Sequence, residues 1–123
     1  MKIFFSVTIK SNSHNAYTSR TQKLVRLVRL MPVQVKVLLH AMFKEIAGMR
    51  EITRELNADS TLGEVLEELA RKYGKDFKTI IYPKTGHVSA DILVMLNGQS
   101  VRKVDIQLKD RDVIMISVPV GGG

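Results

Sequence analysis

The residues with the most distinctive chemistry to offer close the chain: Val118-Pro119-Val120-Gly121-Gly122-Gly123. A run of glycines has no Cβ atoms, so it can carry an α-carboxylate into a channel too narrow for other residues. Pro119 lacks an N–H and cannot donate within a central sheet, so strand pairing is expected to end near it. A bland reading competes, because chain ends fray and often carry small residues. The rest of the composition narrows the chemistry. There is no cysteine, which excludes disulfides, thiolate metal sites, cysteine-ligated iron–sulfur clusters and cysteine nucleophiles. Any transferable sulfur would have to sit on the chain end rather than on a side chain. His14, His40 and His87 are single and widely spaced, so no metal site is expected.

Something rigid must hold such a tail. Val113 to Val118 alternates, with Ile114, Ile116 and Val118 on one face and Val113, Met115 and Ser117 on the other, the pattern of a buried strand. A second alternator, Val33, Val35, Val37 and Leu39, begins the compact part of the chain. Ala41 to Gly48 reads as a helical turn closed by glycine. Arg50 to Leu56 reads as an antiparallel return strand with Ile52, Arg54 and Leu56 on one face, an awkward place for Arg54 if that face is buried. Thr61 and Glu64 form a capping box. Leu62, Val65, Leu66, Leu69 and Tyr73 follow at helical spacing as a core stripe, and Gly74 ends the helix. Phe77 to Tyr82 is an apolar half-turn or short helix. Ile92 to Leu96 is a strand, Asn97-Gly98 a hairpin turn that tolerates positive φ, and Gln99 to Val104 the return. Lys109 to Asp112 is a second turn. Both turns read as turns and nothing more.

The formal net charge of +7 suggests nucleic acid until it is located. Residues 1–30 hold six basic residues (Lys2, Lys10, Arg20, Lys23, Arg26 and Arg29) and no acidic one, and the remainder is close to neutral. That distribution counts against a nucleic-acid surface on the compact part. No apolar run approaches the roughly 18 residues of a membrane span, and residues 3–9 are too short an apolar core for a convincing signal peptide. Residues 24–30 are basic and apolar, a pattern compatible with a short amphipathic segment for an anionic surface. The favoured reading of 1–32 is an extension outside the domain, disordered or not native to it, with residues 33–123 as the domain. Met31 is a candidate initiator.

From Val33 the order β-β-α-β-β-β is that of an α+β, β-grasp (ubiquitin-like) fold: a mixed sheet of four to five strands, one main helix across it, and the last strand parallel to the first. Three local matches give this order a family. Val35 to Gly48 resembles the opening strand and F-x-E-L-A-G turn of the MoaD and ThiS sulfur carriers and the archaeal small modifier proteins. Asn97-Gly98 sits where that family often has its hairpin. Asp110-Arg111-Asp112-Val113 with Val118-Pro119-Val120-Gly121-Gly122-Gly123 resembles its D-G-D-E-V … P-P-V-x-G-G ending, with Val118 in place of the first proline. The loop from Pro83 to Ala90 is more similar to the archaeal members.

The resemblance implies a cytoplasmic protein whose reactive group is the Gly123 carboxylate, with no side-chain active site and no bound cofactor. Pro119, Val120, Gly121 and Gly122 would be the tail that partners recognise. An E1-like adenylating enzyme would use ATP to form an acyl-adenylate at Gly123. A sulfur donor would convert it to a thiocarboxylate for molybdopterin or tungstopterin synthesis on the synthase large subunit. Attack by lysines of target proteins would instead make the chain a protein modifier. His40, Met115 and Ser117 are expected on the outer sheet face beside the tail, facing partners. His40 and Ser117 stand where carriers often present apolar or aromatic residues. A ubiquitin-like binding module with an inert tail is the reading from a different class.

Overall fold

A computed structural model describes residues 21–24 and 31–119. The chain divides into two compact units, Met1–Met31 and Pro32–Gly123. In the first, residues 21–24 are helical, and the expectations for the rest of the basic stretch lie outside the described residues. The second is built from β1 (Pro32–Leu39), α1 (Ala41–Ala47), β2 (Glu51–Asn57), α2 (Leu62–Tyr73), α3 (Lys75–Lys78), β3 (Leu93–Leu96), β4 (Gln99–Ser100) and β5 (Val113–Ser117).

The five strands form one sheet in the order β2-β1-β5-β3-β4. β1 and β5 run parallel in its interior, with Val37 opposite Ile114 and Leu39 opposite Ile116. The other pairings are antiparallel. This is the expected β-grasp arrangement. Its core is the side of the sheet that faces α2. Val35, Val37, Leu39, Val94, Ile114 and Ile116 meet Leu62, Val65, Leu66 and Leu69 in one buried cluster, with Phe43, Phe77, Ile80, Val88 and Leu108 closing its margins. The capping box starts α2 as the sequence predicts: the Glu64 N–H donates to the Thr61 hydroxyl at 3.3 Å and the Thr61 N–H to the Glu64 carboxylate at 2.9 Å.

Arg54 is no misfit. It lies opposite Val35 on the helix side of β2, but β2 is an edge strand. Its stem therefore runs out along the margin of the core, and its guanidinium meets Glu68 of α2 at 2.7 Å. A long cationic side chain can cover apolar surface in this way while keeping its charge near water.

The strand expected over Gln99 to Val104 is shorter than the sequence suggests, since only Gln99–Ser100 join the sheet. The backbone groups beyond Val101 find partners elsewhere. The N–H of Gly63 donates to Val104 O at 2.8 Å, that of Leu62 to Ile106 O at 2.9 Å, and that of Leu108 to Ser60 O at 2.9 Å. The segment thus accepts from the first two residues of α2 through Ile106 and Val104, and donates through Leu108 to Ser60 just before that helix. Gly63 makes the approach feasible, because a Cβ there would lie 3.1 Å from Val104 Cγ2 and 3.2 Å from Val104 O.

Candidate functional site: the end of β5 and the surfaces around it

β5 is where the sheet delivers the tail. Ile114 and Ile116 are 0 % exposed, so the strand cannot rotate without pulling two isoleucines from the core. Its pairing with β3 ends at Ser117 opposite Leu93. Val118 is half-buried and packs against the core, and Pro119 is exposed. Pro119 thus stands just past the last paired residue, as its missing N–H demands. Val120, Gly121, Gly122 and Gly123, also predicted as site residues, lie outside the described residues.

The start of β5 is held by more than a turn. Asn97 Nδ2 donates to Asp112 Oδ1 at 2.9 Å, and the Val113 N–H donates to Asn97 Oδ1 at 2.9 Å. The Lys109 N–H donates to Asp112 Oδ2 at 2.7 Å. On the backbone, the Lys36 N–H donates to Asp112 O at 3.0 Å and the Asn97 N–H to Val113 O at 2.8 Å. Asp112 is only 8 % exposed, and both its carboxylate oxygens are occupied. The reading of these two segments as turns and nothing more is therefore corrected. Their side chains close on each other and set the register in which β5 enters the sheet. The Asn97-Gly98 turn itself behaves as predicted, with φ of +51° and +85°.

The three residues predicted to face partners come together. Met115 lies opposite Leu38 of β1 and Met95 of β3, on the sheet face away from α2. Ser117 is on the same face of β5, and both are half-buried. His40 is exposed at the junction of β1 and α1, where its backbone N–H donates to Ile116 O at 3.0 Å. Sequence reasoning missed Leu38, Leu93 and Met95 beside them. Leu38, Leu93, Met95, Val113 and Met115 form a half-exposed apolar strip across the three interior strands. One signal was available: Leu38 occupies the polar phase of β1, between Lys36 and His40, where alternation calls for a polar residue. Single exposed apolar residues are ordinary, but residues aligned into one contiguous strip are a candidate interaction surface. The polar character of His40 and Ser117 at the tail end of the face is thus accompanied by apolar surface farther along the sheet.

Among the described residues no cluster of three or more histidine, aspartate or glutamate side chains could hold a metal ion, and no helix is long and apolar enough to cross a membrane. This end of the molecule holds Pro119 just past a fixed strand, beside a half-exposed apolar strip. A model of the ThiS family matches residues 37–123. The chain belongs to the ThiS family.

The chain is similar to known proteins both in sequence and in structure. It is 29% identical over 94 residues to small archaeal modifier protein 3 of Haloferax volcanii, an alignment covering 74% of this chain and 100% of the relative. Among solved structures it is similar to the Haloferax volcanii HVO 2177 protein, with a TM-score of 0.63, 27% identity, and coverage of 75% of this chain and 88% of that one. It is also similar to a Pyrococcus furiosus protein named as a molybdopterin converting factor, subunit 1. There the TM-score is 0.56 and the identity 30%, with coverage of 72% of this chain and 99% of that one. The protein is thus a ubiquitin-like chain of the sulfur-carrier or small-modifier type.

Proposed function

We propose that this protein is a sulfur carrier whose Gly123 carboxylate is activated and converted to a thiocarboxylate for molybdopterin synthesis. The observation that carries the reading is the placement of Pro119. It lies exposed just past the paired end of an anchored interior strand, with the glycine residues still to follow in sequence. Such a geometry holds the base of the tail fixed and leaves all chemistry to the end group. In the activation step a carboxylate oxygen of Gly123 attacks the α-phosphorus of ATP on an adenylating enzyme, and pyrophosphate leaves. Hydrosulfide then attacks the acyl carbon, the acyl C–O bond breaks, AMP departs with that oxygen, and the sulfur stays on the chain end as the thiocarboxylate. The chain supplies no acid, base or metal to either step. The apolar strip of Leu38, Met95 and Met115 supports docking on a partner such as the large subunit of the synthase, since interface centres favour desolvated apolar groups.

A second reading is favoured by the likeness to the Haloferax modifier protein. The same acyl-adenylate, attacked directly or through a thioester by a lysine amine of another protein, gives an isopeptide bond. Mass spectrometry of the protein from its native cell separates the two. A sulfur-for-oxygen mass shift at the C terminus is expected for the carrier, and Gly-Gly remnants on lysines of other proteins for the modifier. Activation itself is tested by deleting Gly122 and Gly123. The shortened chain should lose ATP–pyrophosphate exchange with the cognate adenylating enzyme while its circular dichroism stays unchanged. Exchange at the full rate without the two glycines would defeat both readings and leave a binding module with an inert tail.

A further inference from the structure

Three of the six large apolar side chains that stand exposed among the described residues crowd into one short stretch: Met42 (39 %), Ile46 (38 %) and Met49 (45 %). Met42 and Ile46 are one helical turn apart on α1, and Met49 follows directly after the left-handed cap at Gly48. The core does not need them. Phe43, on the buried side of α1, is fully enclosed and meets Phe77 edge-on at 5.0 Å between ring centroids. The ridge is therefore apolar surface that folding leaves uncovered.

Beside it lies a notch lined by Leu39, His40, Ala41, Lys44 and Arg50. The titratable side chains that line it are all basic in type. Neither Lys44 nor Arg50 forms an ion pair among the described residues, where the acidic groups that do pair are taken by Lys36, Arg54 and Arg111. Glu45 is the one acid in residues 40–50 and does not line the notch. Ala41, at the turn from β1 into α1, holds φ at +54°, a region unfavourable to a residue with a Cβ.

Position says what could cover this surface. The His40 N–H donates to Ile116 O at 3.0 Å, so α1 begins beside the last paired residues of β5. Val120 to Gly123 follow Pro119, and four residues span at most about 14 Å. An enzyme whose active site closes on the Gly123 carboxylate must therefore stand within that distance of Pro119, with its rim within reach of α1.

We infer that the Met42–Ile46–Met49 ridge and the His40–Lys44–Arg50 notch together dock the enzyme that activates the C terminus, through an apolar patch on that enzyme ringed by carboxylates. This inference rests on the activation reading above and adds to it a surface separate from the sheet strip. The ridge supplies area from which water is excluded, and the notch supplies charges that speed and orient the encounter. The chemistry at Gly123 owes nothing to either. Loss of the surface should thus weaken capture of the chain and leave turnover of the captured chain alone.

The experiment measures ATP–pyrophosphate exchange as a function of carrier concentration. It uses the full chain and the adenylating enzyme of the same organism, with circular dichroism melts for each variant. The double variant Lys44→Glu/Arg50→Glu should raise KM by about tenfold or more with kcat within about twofold. Met42→Ala/Ile46→Ala/Met49→Ala should raise KM in the same sense. KM of the unaltered chain should climb steeply with added salt, and that slope should flatten in the charge-reversed variant; this needs no comparison of stabilities. KM values within about twofold of the unaltered chain for both variants, or a KM insensitive to salt, would overturn the docking inference while leaving activation standing. Absence of exchange with the unaltered chain would overturn activation itself, and the docking inference with it.

Discussion

The two faces of β5 are made from neighbouring residues and serve opposite ends. Ile114 and Ile116 point toward α2 and are fully enclosed, whereas Val113, Met115 and Ser117 point away and stay half-exposed. Both faces contain apolar side chains, so composition does not distinguish them. The difference is that α2 is laid over the face that carries Ile114 and Ile116. The covered face holds the fold together and fixes where the tail departs. The other face keeps Val113, Met115 and Ser117 half-exposed and adds little to the core. A strand flanked on both sides within the sheet thus gives a small domain a rigid anchor on one face and leaves apolar side chains half-exposed on the other.

That contrast is best broken from the covered side. Ile116→Ala should cost about 2–5 kcal/mol, because a buried isoleucine truncated to alanine loses its transfer energy and leaves a cavity. In a domain with a typical total of about 5–15 kcal/mol, a urea titration should show a large fall in the midpoint. Ser117→Ala is the control, since Ser117 faces outward opposite Leu93. A greater loss from Ser117→Ala than from Ile116→Ala would mean that the strand is displaced by one residue and its faces exchanged.

An intermediate effect is expected at the clamped start of the strand. Asn97→Ala removes the donor to Asp112 and the acceptor for the Val113 N–H. Water can replace part of this at an exposed asparagine, so the expected loss is about 1–2 kcal/mol, again by denaturant titration. Amide exchange should quicken at Val113 before it does at Ile116. Uniform protection across the strand would show that the clamp does not hold its register. Met115→Ala should have the smallest effect on stability, below about 1 kcal/mol, and yet weaken binding to whichever partner covers the sheet. A calorimetric titration with the isolated partner reads the binding, and a thermal melt reads the fold. A large drop in stability with binding unchanged would reverse the roles assigned to the two faces.

Much of this was legible before any coordinates. Periodicity located β1, β5 and the stripe of α2 because burial on one face imposes alternation of two on a strand and of about 3.6 on a helix. The capping box and the Asn97-Gly98 turn were readable because their causes are local: the groups that satisfy each other are within three residues. The end of β4 was not readable. Residues 101–108 keep a strand-like composition, but their backbone partners on α2 are some forty residues away in sequence. Arg54 was ambiguous for a related reason, since its environment depends on β2 being an edge and on Glu68 lying above it.

The tail shows the same division. Its residue types, the absence of cysteine and the closing glycines are properties of the chain alone, and the family resemblance they carry is what directs attention to the end group. Where that end leaves the molecule was a tertiary matter. The parallel pairing of β1 with β5 brings His40 beside Ile116, and with it α1, Lys44 and Arg50 to the base of the tail. The outer strip likewise arises only when Leu38, Met95 and Met115 are aligned by register across three strands. Local hydrogen-bonding and periodicity are written in neighbouring residues, but a surface shared by distant segments exists only after the chain has closed upon itself.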